Sequence, residues 1–187
     1  MNQTLVKNQL IFDFASGNLG LSKSIFASTY LHINSKASKL NEAFESVLGD
    51  IFLDNKGISP RKLKSSDCIK GPNNIENNYT KDENPLTKLI GPLENLSWKS
   101  IFNGFKEYTP NINDENDLKL IKMDPGASVP LHSHSGREYI LVLSGSFTDQ
   151  YGKYGKGDLQ INDQKIKHTP TACKDEGCVC LTITEKD

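Results

Sequence analysis

This 187-residue chain has no long apolar run, no excess of one charge and few cysteines, and each shortage narrows what it can do. Lys and Arg number 22 and Asp and Glu 23, for a formal net charge of −1. No basic block stands out, so nothing points to direct contact with nucleic acid or a membrane surface. Apolar runs are as short as Tyr139–Leu143, far below the ~20 residues of a spanning helix. Residues 1–8 lack the basic start and apolar core of a signal peptide, so the cytoplasm is the expected compartment. The cysteines are Cys68, Cys173, Cys178 and Cys180, with no Cys-x-x-Cys among them. Cys178 and Cys180 share one face of an expected strand over 178–184. On a regular strand they stand too far apart for an easy disulfide. They read as small apolar core residues of a reducing compartment. Cys173, in a polar loop, is the expected exposed thiol, and Cys68 a solvated linker residue.

Three of the four histidines fall into one constellation. It runs Gly126, five residues, His132-Ser133-His134, three residues, Glu138, six residues, Gly145, with His168 thirty residues beyond Glu138. On a strand, residues i and i+2 point to the same face, so His132 and His134 can grip one ion together. Glu138 keeps the same parity on the apolar strand 138–143. Gly126 and Gly145 are expected to mark turns. Three imidazoles and a carboxylate form a mixed nitrogen and oxygen donor set suited to a divalent transition metal. A thiol near that ion would make a redox sensor, the sharper reading of the cysteines.

Residues 8 to about 53 read as helical. Leu10–Ala15 forms a short first helix ending at Ser16-Gly17. Leu21, Ile25, Phe26, Tyr30 and Ile33 mark a second, broken from a third near Asn34-Ser35. Leu40, Phe44, Val47, Leu48 and Ile51 form one apolar stripe on that third helix. Such short helices are marginal alone and need something to pack on. Residues 54–92 are polar and turn-rich, with Pro60, Pro72 and Pro85. They read as a linker with a short helix near Leu86–Ile90. Residues 93–187 read as closely spaced β-strands, a sandwich or barrel. On strand 138–143, Glu138, Ile140 and Val142 face inward. Tyr139, Leu141 and Leu143 form a second apolar face that needs a cover. The N-terminal helices, a second barrel or a homodimer partner could supply it.

The spacing from Gly126 to Gly145 resembles the first motif of the cupin superfamily, and His168 sits where the second motif places its histidine. Asn162-Asp163-Gln164 replaces that motif's Pro-x-Gly. The stretches 118–126, 132–138, 142–147, 154–158 and 177–181 resemble the ChrR-type zinc anti-sigma factors more closely, as does Leu10–Gly49. The resemblance implies an α+β chain, a short helical module joined to an antiparallel cupin barrel. It implies that His132, His134, Glu138 and His168 hold one divalent metal. Zinc is the family expectation, and Fe, Mn or Ni fit the same donors. It implies a sigma factor of extracytoplasmic-function type as partner of the N-terminal helices. One departure stands out. The family's helical module carries its own zinc, on an early His and a His-x3-Cys-x2-Cys motif. The last three positions are Tyr30, Asn34 and Ala37 here, the early one falls near Leu5, and His32 is out of register. Such residues cannot supply imidazole and thiolate donors. If a structural zinc contributes on the order of 10 kcal/mol, its loss must be offset, and Tyr30 with Phe12, Phe14, Phe26 and Phe44 could do so by apolar packing.

Two functions stand beside that of a stress-responsive anti-sigma regulator. One is a metal-dependent cupin enzyme, of dioxygenase or isomerase type. The other is a non-catalytic cupin that binds a metal or small molecule. For an enzyme, no second catalytic group of motif strength is visible. Arg137 and Tyr139 adjoin Glu138, but surface or packing roles account for both.

Overall fold

In the computed structural model, residues 2–54, 84–112 and 116–185 are described. The first helix, α1 (Gln3–Ala15), begins earlier than its apolar pattern suggests. The Asn2 side chain accepts from the Leu5 N–H at 3.3 Å and caps it. Val6, Leu10 and Phe14, four residues apart, then reach the core along one face. The second helix, α2 (Leu21–Ile33), has the expected bounds and buries Phe26, Ala27 and Tyr30. After it, α3 (Ser35–Asp54) follows the single residue Asn34. Its apolar stripe is only half covered. Leu40 and Phe44 pack on the core, whereas Val47 and Ile51 are more than half exposed. A short α4 (Pro85–Ile90) is capped by the Asn84 side chain and buries Leu86 completely. Residues 55–83 of the expected linker, with Cys68, lie outside the described residues. Among the described residues, no helix is long and apolar enough to cross a membrane.

The remainder is antiparallel sheet. Its strands are β1 (Lys99–Phe102), β2 (Phe105–Tyr108), β3 (Asp117–Met123), β4 (Glu138–Asp149), β5 (Gly152–Gly155), β6 (Leu159–Asn162), β7 (Thr171–Ala172) and β8 (Cys178–Thr184). They pair in the order β1-β2-β3-β8-β4-β5, with β6 and β7 also on β4. The long strand β4 therefore serves both sides. Residues 138–141 pair with β6, and residues 146–149 with β5. Between these halves the register with β8 shifts at Val142/Ser144. Gly145, expected at a turn, lies inside β4 at this irregularity, with φ +68. A Cβ there would sit 2.2 Å from the Gly177 carbonyl oxygen, so only glycine lets β8 come this close. The glycine thus bends a continuous strand; its spacing alone could not distinguish that from a turn.

The alternation along β4 builds two cores. Ile140 and Val142 face the barrel interior with Met123, Phe147, Ala172, Cys178 and Cys180. Tyr139, Leu141 and Leu143 face the other way and join Leu10, Ile11, Phe26 and Tyr30. The cover that this second face needs comes from the chain's own helices. Phe26 meets the Tyr139 ring edge-to-face at 6.0 Å. Two polar ties flank this contact: Lys23 pairs with Glu185, and the Asn34 side-chain amide donates to Gly157 O at 2.9 Å.

Candidate metal centre

The backbone of His132 exchanges both hydrogen bonds with that of His168, at 3.2 and 3.1 Å. This isolated bridge holds the two rings side by side, with their Nε2 atoms 3.2 Å apart. His134 lies two residues on, in an irregular extended segment rather than a regular strand. The same-face argument holds locally without a ladder. One ring nitrogen from each histidine lies within 4.8 Å of those of the other two. Glu138, the first residue of β4, puts Oε2 3.0 Å from His134 Nε2 and 3.6 Å from His168 Nε2. All four residues singled out by spacing therefore converge. The turn between His134 and Glu138 is pinned from behind, since a Cβ on Gly136 would fall 1.8 Å from Glu185 O.

Electrostatics and bonding suit a cation at the centre of these donors. His134 Nε2 is buried without a hydrogen bond; it meets Glu138 in distance but not in angle. An imidazole nitrogen left unsatisfied among two other imidazoles and a carboxylate is the donor chemistry that a divalent ion would complete. The close Glu138 carboxylate raises the His134 pKa, against the effect of burial. Burial lowers that of His168, which keeps its ring neutral and able to donate a lone pair. His132 Nδ1 sits 2.8 Å from the Pro130 carbonyl, which accepts its proton and frees Nε2 for the cage.

Spacing did not single out the second layer. Asn162, in the region that departs from the cupin motif, is buried. Its amide lies 3.4 Å from Glu138 Oε2 and 3.3 Å from His168 Nδ1. Asp149 Oδ2 lies 3.4 Å from His168 Nδ1. Both sit beside turn-forming residues and carry no signal that separates them from ordinary turn chemistry.

These four residues line one part of a cavity of about 450 Å³, which also reaches Phe105, Ile121, Met123 and Cys180. Cys178 and Cys180 are buried with Sγ atoms 3.3 Å apart, closer than a regular strand implies. The register shift in β4 lies directly opposite, where bulges increase local twist. The Cys178 contact and burial together push the Cys180 thiol well above its usual pKa. It is therefore a protonated, apolar core residue rather than a thiolate. Cys173 is half-buried in its loop.

On the helices, the positions that carry zinc ligands in the resembling family are otherwise engaged. Tyr30 and Ala37 are buried in the shared core. Asn34 accepts from the Ala37 N–H at 3.0 Å and donates to Gly157 O. His32 is exposed.

Comparison with known proteins covers both layers. Residues 112–186 match the family model of the ChrR cupin-like domain. The chain is 27% identical over 188 residues to the anti-sigma-E factor ChrR of Cereibacter sphaeroides, covering 96% of this chain and 88% of that protein. The crystal structure of Rhodobacter sphaeroides SigE in complex with the anti-sigma ChrR matches with a TM-score of 0.80 and 26% identity. That match spans 95% of this chain and 96% of the other. Along nearly its whole length, helices and sheet together, the chain is therefore similar to ChrR, and its barrel matches the ChrR cupin-like domain over residues 112–186.

Proposed function

We propose that the protein is an anti-sigma-type transcriptional regulator with a metal-binding cupin sensor that responds to stress such as reactive oxygen species. Its N-terminal helices bind a sigma factor of extracytoplasmic-function type in the cytoplasm. The observation that carries this reading is likeness along nearly the whole chain, helices included, to an anti-sigma protein solved with its sigma factor. A second observation supports it. Leu5 on α1 and Val47 and Ile51 on α3 are more than half exposed, apolar side chains that a partner would cover.

In this reading the chain divides into a helical module (1–53), a linker (54–92) and the barrel (93–187). His132, His134, Glu138 and His168 hold one divalent ion. Zinc is the expected occupant, and Fe, Mn or Ni would suit the same donors. Bound there, the ion supplies a cross-link between the 132–138 segment, β4 and the segment before β7. Four protein donors would leave an ion little room for a substrate, which fits sensing or structure better than catalysis. The chain neighbours of Glu138 complete the logic. Tyr139 OH donates to Glu185 at 3.0 Å, and Arg137 lies 3.5 Å from the same carboxylate. Glu185 in turn pairs with Lys23 of α2. A shift of Glu138 would therefore be felt at the helical layer, as coupling between two sites requires.

The test is a binding assay with the cognate sigma factor. A complex at micromolar concentration is expected, and its absence there refutes the regulator.

A further inference from the structure

A buried carboxylate behind His168 is not explained by the four donors. Asp149 is the last residue of β4, and its side chain has no exposed surface. A carboxylate taken out of water is unfavourable unless its oxygens are satisfied. Oδ1 accepts the N–H groups of Tyr151 and Gly152 at 2.8 and 3.1 Å and shapes the turn into β5. That task needs one oxygen, and Asn would perform it equally well. Oδ2 points the other way, into the barrel. It accepts from Gln160 Nε2 at 2.7 Å and lies 3.4 Å from His168 Nδ1. Gln160 is itself fully buried, so this second oxygen belongs to an interior network and not to the turn.

A neutral imidazole carries one proton. With that proton on Nε2, Nδ1 would present a lone pair to the carboxylate, and two acceptors would face each other in a dry site. With the proton on Nδ1, the ring donates to Asp149, and Nε2 turns an unprotonated lone pair toward His132 Nε2 and Glu138 Oε2, acceptors that face one another unless a cation joins them. The Asn162 amide, 3.3 Å from Nδ1, favours the opposite form, but it has Glu138 Oε2 as another acceptor at 3.4 Å. A buried carboxylate is the stronger acceptor for the ring proton. His132 shows the same arrangement with a different acceptor, the Pro130 carbonyl. Metal-ligating histidines are held in this way, by an acceptor on the nitrogen that does not bind.

We propose that Asp149 is a positioning residue of the metal centre, holding His168 in its Nδ1–H form so that Nε2 is aimed, unprotonated, into the cage. This rests on the reading of His132, His134, Glu138 and His168 as metal donors.

Asp149→Asn is the discriminating variant. Its carbonyl still accepts from Tyr151 and Gly152, while its amide donates toward Nδ1 and selects the Nε2–H form. Titration of the full chain with Zn²⁺ against a chromophoric chelator should show affinity roughly 10- to 100-fold below wild type. In the metal-free protein, ¹⁵N ring shifts should report Nδ1–H for wild-type His168 and Nε2–H in the variant. A merely structural role would lower stability without moving the tautomer. Unchanged zinc affinity in Asp149→Asn overturns the proposal, and so does an Nε2–H ring in metal-free wild type, a measurement that needs no variant to fold. If wild type takes up none of Zn²⁺, Fe²⁺, Mn²⁺ or Ni²⁺, the metal reading itself fails, and the ring tautomer still decides whether Asp149 holds His168.

Discussion

Asn34 is one residue with two structural tasks, and its removal gives a quantitative test of how the helical layer is held. Its Oδ1 accepts the Ala37 N–H at 3.0 Å and caps α3. Its Nδ2 donates to Gly157 O in the turn between β5 and β6, at 2.9 Å. Replacing an Asn N-cap by Ala costs about 1 kcal/mol. Losing the second bond costs about another 1 kcal/mol, since it strands a carbonyl of buried Gly157. Asn34→Ala should therefore destabilise the protein by about 2 kcal/mol. For a chain of this size that is a fall in melting temperature of about 4–8 °C. Asn34→Ser separates the tasks. Its hydroxyl still caps α3 but is too short to reach Gly157, so about half the loss is expected. Thermal and urea unfolding of the three proteins measure this directly. A change within ~0.5 kcal/mol for Asn34→Ala, the range of an ordinary surface substitution, would refute the argument that Asn34 ties the layers together.

Other substitutions probe the remaining links. His132→Ala or His168→Ala should cut metal content sharply by elemental analysis; wild-type content in both would refute the donor assignment. Free zinc at a hundredfold its dissociation constant should stabilise wild type by about 2.7 kcal/mol over the chelated protein, and His168→Ala should erase that difference in unfolding assays. Phe26→Ala, at a ring with no exposure, should cost roughly 3–5 kcal/mol in urea titration; a loss below ~1 kcal/mol would mean that the helices do not share the sheet's core. Gly145→Ala should cost roughly 3 kcal/mol or more, from its positive φ and the 2.2 Å approach of Gly177 O. Gly17→Ala has a positive φ in open space and should cost only about 1 kcal/mol; equal losses would contradict the strand irregularity. In native protein at pH 8, iodoacetamide should modify Cys173 well before Cys180, whose raised pKa keeps it protonated; peptide mass mapping that found Cys180 first would oppose its reading as a core residue.

Periodicity alone made much of this legible. The bounds of α2 and β8 and the two faces of β4 follow from patterns of 3.6 or 2 residues, whereas His168 is placed in the candidate site by its position in the resembling motif. What stayed hidden depended on contacts between distant segments. The stripe on α3 reports an apolar face but not how much of it the sheet can reach, so Val47 and Ile51 looked like core and lie exposed. Gly145 looks like a turn because glycine chemistry is the same in a turn and in a bent strand. Asp149 is hidden for a similar reason. One of its oxygens does the work of any turn aspartate, and only the fold reveals that the other is aimed at His168.

The two faces of β4 also show where a helical module with Tyr30, Asn34 and Ala37 at the resembling family's ligand positions finds its core. A small module alone has too little core, and a structural zinc makes up the difference. Here Phe26, Tyr30, Leu10 and Ile11 instead share one continuous core with Leu141, Leu159, Leu181 and Ile183 of the sheet. The aromatic filling expected from sequence is therefore only part of the answer, because Phe12 remains partly exposed against Phe44. The larger part is borrowed from the barrel. Borrowing has a functional consequence. A module closed by its own zinc could keep its shape while the barrel changed. A module whose core is half sheet cannot, because Tyr139 sits in that core one residue from Glu138. If Glu138 holds the ion, loss of order at the cage and loss of support for the helices would be adjacent events on one strand.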